Sequence, residues 1–105
     1  MMKSGVVLGM AAASCLAAGA AQAQISDDVV KIGVLSDMSS LYSDIGGPGS
    51  VVAAKMAVQD FGGKVAGKPI EVISADHLNK PDVGSSIARQ WIDQDHVDAI
   101  VDVPT

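Results

Sequence analysis

The sequence predicts an α/β fold, namely a βαβαβ half of a doubly wound parallel sheet. Apolar, β-branched runs occur at 30–35, 70–75 and 99–103, two runs with helical spacing lie between them, and the connections are short. Strands that alternate with helices are expected to pair in parallel through right-handed crossovers. Ligands of such open sheets bind beyond the carboxyl ends of the strands, so we expect any site at that edge.

The composition restricts the classes of partner. The chain has 105 residues and a formal net charge of −5, which argues against nucleic acid or an anionic membrane surface as a partner. Without an amino-terminal leader about 80 residues remain, enough for one small core but fewer than in a typical domain. Because the last residues read as a strand that has barely ended, we expect the amino-terminal fragment of a larger domain.

Residues 1–23 have the composition of a secretory signal peptide. Lys3 supplies the positive charge, an uncharged apolar run follows, and Ala21-Gln22-Ala23 places small residues where signal peptidase accepts them. We therefore predict cleavage between Ala23 and Gln24. The alternative is a transmembrane anchor, but the run is rich in Ala and Gly and has no stop-transfer charge beside it.

Cys15, the only cysteine, lies within this leader. A role as a lipoprotein acceptor is disfavoured because Ala12-Ala13-Ser14 lacks the usual leucine three residues before the cysteine. The mature chain then contains no cysteine and must fold without disulfides.

The first half of the mature chain reads as a strand, a polar loop and a helix. Val30–Leu35 fits a buried parallel strand, and the loop at 36–44 carries hydroxyls, two carboxylates and the only tyrosine. Ser50 is the predicted N-cap of a helix whose apolar residues recur on one face from Val51 to Phe61. Gly62 is expected to end that helix.

The second half repeats this order. A turn-rich connector at 64–69 is compatible with a small hairpin, and a second strand is predicted at Ile70–Ala75. Pro81 fits the first turn of a second helix, where its missing N–H costs nothing. Trp91 falls on the apolar face of that helix and is expected in the core. A third strand is predicted from residue 98 or 99 to Val103.

The glycines at 46–49 do not support nucleotide binding. A dinucleotide fingerprint requires G-x-G-x-x-G directly after a strand. Here Gly47-Pro48-Gly49-Ser50-Val51-Val52 has valine at the third glycine position and follows a long loop. No G-K-[ST] sequence is present. We interpret these glycines as residues that turn the loop into the helix.

Metal and nucleophile chemistry have no better support. His77 follows the second predicted strand and His96 precedes the third, so the sheet separates them, and no third ligand has useful spacing. No G-x-S-x-G sequence occurs. We therefore expect no metal, no cofactor and no catalytic residue. His96 is interpreted as a solvated turn residue, whereas His77 is a candidate ligand contact or a residue that forms hydrogen bonds within its loop.

The hydroxyl groups of the first loop have two interpretations. Ser36, Ser39, Ser40 and Ser43 are typical of turns, which accounts for them without a ligand. Alternatively, these hydroxyls and the N–H groups of the loop bind a small polar solute in a concave site, covered by Tyr42.

Several segments, in order, resemble one family. They are the sequence Val-Lys-Ile-Gly-Val-Leu-Ser-Asp-Met-Ser at 30–39, Asp60-Phe61-Gly62-Gly63, Gly-Lys-Pro-Ile-Glu-Val at 67–72 and Ala-Asp-His-Leu-Asn-Lys-Pro-Asp at 75–82. These segments resemble the periplasmic solute-binding proteins of ABC importers, of the leucine/isoleucine/valine-binding type with the type I periplasmic binding protein fold. The resemblance covers essentially all of the mature chain.

The resemblance implies a periplasmic receptor rather than an enzyme. Members of this family have two α/β lobes that close by a hinge around a small solute and present it to a permease in the inner membrane. Residues 24–105 would supply part of the amino-terminal lobe, with the loops after the first and third strands facing the cleft. The ligand-binding residues expected from the polar loops and from this resemblance together are Ser39, Ser40, Tyr42, His77 and Thr105.

Two departures from the family bear on the ligand. Ile45 precedes Gly46 where amino-acid-binding members often have an aromatic residue, and the mature chain cannot form the disulfide that many members carry. A branched-chain amino acid is the first expectation, and an aromatic or acyl carboxylate competes with it. A fragment of a nucleotide-binding α/β enzyme and a ligand-sensing domain of the same fold are the alternatives. Without a second lobe we expect little ligand affinity.

Overall fold

The computed structural model describes residues 27–104 together with Gly5 and Ile25. The predicted cleavage site and Thr105 lie outside the described residues. The elements in chain order are β1 (Val30–Ser36), α1 (Gly47–Phe61), β2 (Lys64–Val65), β3 (Lys68–Asp76), α2 (Pro81–Asp93) and β4 (Ala99–Val101). Neither α1 nor α2 is long and apolar enough to cross a membrane.

The strands form one sheet in the order β2-β3-β1-β4. β1 pairs in parallel with β3 and with β4, so that Val34 lies between Ser74 and Val101. β2 forms an antiparallel hairpin with β3, as the connector at 64–69 suggested. The predicted βαβαβ arrangement is confirmed. Because the three parallel strands end at one edge of the sheet, the loops that follow them gather there.

β1 is central, and successive side chains point to opposite faces of the sheet. On one face Leu35 packs with Trp91 of α2 and with Val97, and all three are buried. On the other face Val30 and Ile32 lie beside residues of α1. The predicted core position of Trp91 is confirmed, and the two helices cover opposite faces of the sheet.

The start of α1 differs from the prediction. The helix begins at Gly47 with Gly46 at the N-cap, so the prediction of Ser50 as the N-cap is wrong. Pro48 lies in the first turn, where its fixed φ angle and missing N–H favour an earlier start. The end agrees with the prediction, because Gly62 has a left-handed φ of 104° and terminates the helix.

Two strands also differ in length from the prediction. β3 extends from Lys68 to Asp76 because it pairs with β2 at its start and with β1 along the rest of its length. β4 ends at Val101 rather than Val103, since its pairing with β1 ends there and Asp102 has a left-handed φ of 54°. The predicted start of α2 at Pro81 is confirmed.

Candidate functional site

The loop after β1 is folded around the carboxylate of Asp37, which is fully buried. This carboxylate accepts hydrogen bonds from the backbone N–H groups of Ser40 at 2.8 Å, Tyr42 at 2.9 Å and Ser39 at 3.3 Å. It also accepts the Oγ–H of Ser40 at 2.6 Å. Four donors from three residues of the loop therefore fix its path around one charge.

Asp76 joins this loop to the neighbouring strand. Its carboxylate accepts the N–H of Met38 at 3.0 Å and the Oγ–H of Ser39 at 2.5 Å, both from the loop after β1. It also accepts the N–H of Leu78 at 2.8 Å, from its own loop. Asp76 lies opposite Ser36 in the parallel pairing of β1 with β3. The loops after the two strands thus form one continuous wall at the carboxyl edge of the sheet.

The hydrogen bonds keep both carboxylates ionised. Burial raises the pKa of Asp37, but the Oγ–H of Ser40 and the backbone N–H groups of Tyr42, Ser40 and Ser39 together outweigh it and lower the pKa to about 2. The pKa of Asp76 is also below its ordinary value, chiefly because of the hydrogen bond from Ser39. Two negative charges therefore lie behind the loop at neutral pH.

Ser39 and Ser40 are exposed at this edge, yet each hydroxyl proton points back to a carboxylate. A serine hydroxyl has one proton to donate and two lone pairs that accept. Each Oγ therefore presents only lone pairs to a molecule that approaches from solvent. The turn-forming interpretation of these serines agrees with the structure, and a role in ligand binding is restricted to accepting hydrogen bonds.

Ser36 and Gly47 close the far end of the same loop. The N–H of Gly47 donates to Ser36 Oγ at 3.1 Å, and Gly47 has a left-handed φ of 51°. A Cβ at this position would lie 2.8 Å from the carbonyl oxygen of Asp37. Glycine is therefore required where the loop turns into α1, as interpreted from the sequence. Tyr42 lies within the loop, is partly buried, and accepts the N–H of Gly46 on its carbonyl oxygen.

His77 occupies a different environment from the serines. Its backbone N–H donates to the carbonyl oxygen of Ser36 at 2.9 Å, which places it at the same edge. Its side chain, however, is only 4% exposed and lines a groove of about 470 Å³ between α2 and β4. A separate depression of about 510 Å³, bordered by Met38 and Ser43, lies beside the loop after β1. The expected ligand residues are therefore not gathered in one cavity.

His96 lies just before β4 with a left-handed φ of 56°, and it is exposed, as predicted for a solvated turn residue. The two histidines thus lie at opposite ends of the sheet. Among residues 27–104 no three His, Cys, Asp or Glu side chains are grouped so that they could hold a metal ion.

Sequence reasoning missed the organising roles of Asp37 and Asp76. A detectable signal was present, because each aspartate stands where one of two adjacent parallel strands ends. The sequence Asp37-Met38-Ser39-Ser40 also has an aspartate followed by the N–H groups with which such residues form turns. The fact that both carboxylates bind the same loop could be seen only from the register of β1 and β3.

Comparison with known proteins identifies the family. The sequence profile described as periplasmic binding protein matches residues 29–105. A periplasmic binding protein from Burkholderia mallei is 59% identical over 70% of this chain and 20% of its own, with a TM-score of 0.68. A branched chain amino acid ABC transporter periplasmic ligand-binding protein from Burkholderia xenovorans LB400 is 55% identical over the same shares, with a TM-score of 0.69.

A more distant structure adds a bound molecule. A solute binding protein of an ABC transporter from Rhodopseudomonas palustris BisB5, in complex with 3,4-dihydroxy benzoic acid, is 32% identical over 70% of this chain and 20% of its own, with a TM-score of 0.60. No curated protein matches the chain. The chain spans about a fifth of the length of these solved relatives. Together with the parallel sheet and its joined loops, these matches show that the chain belongs to the periplasmic binding protein family.

Proposed function

We propose that this chain is part of the amino-terminal lobe of the solute-binding component of an ABC importer. Its solute is a branched-chain type of amino acid or a related small carboxylate, and its partner is a permease in the inner membrane. The observation that carries the proposal is the 55% identity to the Burkholderia xenovorans protein, which is named for branched-chain amino acid transport. The dihydroxybenzoic acid bound to the Rhodopseudomonas palustris protein supports an aromatic carboxylate as the second ligand class.

Membership of the family implies a periplasmic location, and the solved relatives are solute-binding proteins rather than enzymes. We propose that residues 1–23 direct export and are removed between Ala23 and Gln24, since their composition is that of a signal peptide. No observation favours the nucleotide-binding enzyme or the sensor domain over the importer component.

The loop after β1 supports a specific orientation of the solute. Ser39 and Ser40 present hydroxyl lone pairs, with the ionised carboxylates of Asp76 and Asp37 behind them. A carboxylate placed here would be repelled, whereas an ammonium or phenolic hydroxyl group would donate to the serine oxygens. We assign this loop to the donor end of the solute, beside Tyr42, and the solute carboxylate to the segment after β4, with Thr105 as a candidate contact.

The test compares solutes that differ only in this donor group. Leucine is paired with 4-methylpentanoate, which lacks the ammonium group, and 3,4-dihydroxybenzoate is paired with benzoate. The protein is a chimera of residues 24–105 followed by the carboxyl-terminal part of the Burkholderia mallei relative, hereafter the chimera. In isothermal titration calorimetry, the member with the donor group should bind about ten-fold or more tightly, the effect of one hydrogen bond to a charged group.

Serine variants locate the contact. Ser40→Ala should reduce the preference for the donor-bearing solute, whereas Ser86→Ala, an exposed serine on α2, should leave it unchanged. Residues 24–105 alone, hereafter the exported chain, should bind all four compounds weakly, because an enclosed site needs walls from both lobes. If the chimera binds none of them, the importer function is wrong. Equal affinity within each pair would contradict the orientation only.

A further inference from the structure

The groove that contains His77 is mostly apolar. Its lining includes Leu35 and Ile100 of the sheet, Gly84 and Ala88 of α2, Val103 after β4, and His77 itself. We call this region the α2–β4 groove. β4 has β1 as its neighbour on one side and forms an edge of the sheet on the other. Val101 and Val103 are exposed beside this edge, so apolar surface continues from the groove to the edge strand.

The hydrogen bonding of the His77 ring shows which of its two nitrogens carries the proton. The N–H of Asn79 donates to His77 Nδ1 at 2.9 Å, so Nδ1 of the neutral ring carries a lone pair and Nε2 carries the proton. Within the part of the chain that the structure describes, Nε2 is buried and has no hydrogen-bond partner. A buried donor without an acceptor destabilises the folded state, so native folds rarely leave one. The geometry therefore calls for an acceptor inside the groove.

The topology indicates what covers the groove. α1 connects β1 to β3 on one face of the sheet, and α2 connects β3 to β4 on the other. A further parallel strand on the free edge of β4 would continue in the direction that leads from β3 to β4. Right-handed crossovers then place the connecting helix on the same face as α2, directly over the groove. The matched region is about a fifth of each solved relative. The relatives therefore contain enough further polypeptide to form such a strand and its connecting helix.

We propose that the α2–β4 groove is filled by a helix of polypeptide carboxyl-terminal to Thr105, which supplies the hydrogen-bond acceptor for His77 Nε2. The inference rests on the proposed function, because only the longer receptor contains such a segment. His77 is then a positioning residue that attaches the next crossover to the first half of the lobe, and it is not a ligand contact. This replaces the ligand role expected for His77 from its position after the second strand.

The first test follows the proton on Nε2. Histidine labelled with ¹⁵N is incorporated into the exported chain and into the chimera, and hydrogen exchange of the His77 Nε2–H is measured by NMR. We expect exchange at least about 100-fold slower in the chimera, where the acceptor is present. His96, exposed at the opposite end of the sheet, is the internal control and should exchange rapidly in both proteins.

A substitution isolates the same hydrogen bond. His77→Asn retains an acceptor near the position of Nδ1 for the N–H of Asn79 but removes the Nε2 donor. In the chimera this variant should raise the unfolding equilibrium constant about ten-fold more than it does in the exported chain. His96→Asn should affect neither protein. Because the same substitution is compared in two proteins, any effect on stability that is common to both cancels in the comparison.

Three outcomes would overturn the inference. The first is equal exchange of His77 Nε2–H in the two proteins, and the second is an equal effect of His77→Asn on both. In the third, leucine or 3,4-dihydroxybenzoate slows Nε2–H exchange in the exported chain, which would make the groove a solute site. Calorimetry on the same chimera separates the two proposals. If the chimera binds solute but His77 Nε2–H exchanges as fast as in the exported chain, only the groove assignment is contradicted. If exchange is slowed but no solute binds, only the importer function is contradicted.

Discussion

Replacement of Gly33 by alanine is expected to destabilise the fold strongly, although it adds a single methyl group. A Cβ at Gly33 would lie 2.4 Å from Cζ3 and 2.6 Å from Cε3 of Trp91. Carbon atoms in ordinary contact are about 3.5–4.0 Å apart, so the indole or the strand must move by about 1 Å. The indole is held by Leu35 and Val97 in the buried cluster. Overpacking of this kind costs about 1–3 kcal/mol, and a rigid ring favours the upper half of that range.

The assay is thermal and urea unfolding of the exported chain, followed by the fluorescence of Trp91, which is the only tryptophan. A loss of about 2–3 kcal/mol lowers the Tm of a domain of this size by about 8–24 °C. Gly49→Ala in α1 is the matched control, because the added Cβ would have no atom within 4 Å apart from those of its chain neighbours and of the helix backbone. The control should be neutral or slightly stabilising.

A double variant tests the cause of the effect. Trp91→Phe removes the part of the ring that contains Cε3 and Cζ3, so Gly33→Ala should cost less in that background, with unfolding followed by circular dichroism. The steric argument fails if Gly33→Ala has the stability of the unmodified chain. It also fails if the cost of Gly33→Ala is unchanged in the Trp91→Phe background.

Two further predictions concern the loop after β1. The folded-state pKa of Asp37 is about 2, against an ordinary value of 3.8, so its ionised form contributes stability that is present above about pH 4 and is lost as the pH falls through 2. Asp37→Asn should lower the stability at pH 7 and should make the loss of stability between pH 4 and pH 2 smaller, with stability measured as the urea midpoint. An unchanged dependence of the midpoint on pH would contradict this. Gly47→Ala should cost at least about 1–2 kcal/mol, because φ is 51° and the Cβ would lie 2.8 Å from the carbonyl oxygen of Asp37. A Tm equal to that of Gly49→Ala would refute it.

The sequence was sufficient for the fold class because most local signals agreed with the tertiary arrangement. Val30–Leu35 reads as a strand and is one, and Pro81 and Gly62 mark a helix start and a helix end where the structure has them. The wrong N-cap at Ser50 arose because two boundary signals competed, and a hydroxyl was preferred to the Gly-Pro turn before it. Local patterns do not rank such signals, and one contact at this boundary, from Gly47 N–H to Ser36 Oγ, spans the whole loop.

The site was less predictable, because its geometry depends on distances between strands. The sequence located the polar loops at the correct edge, but the hydrogen bond between Ser39 and Asp76 joins residues that only the register of β1 and β3 brings together. The direction in which a serine proton points cannot be read from residue spacing. For this reason the sequence identified Ser39 and Ser40 as candidates without indicating that their hydroxyl protons are donated to Asp76 and Asp37.

Asp76 and His77 connect the two proposals. Successive residues at the end of β3 point to opposite faces of the sheet. Asp76 holds the loop after β1 through Met38 and Ser39, while the ring of His77 lies in the α2–β4 groove. A hydrogen bond that fixes His77 from the groove side therefore also restricts the carboxylate that fixes Ser39. On this argument a filled groove would further restrict the first wall of the solute site, which the hydrogen bonds of Asp37 and Asp76 already hold.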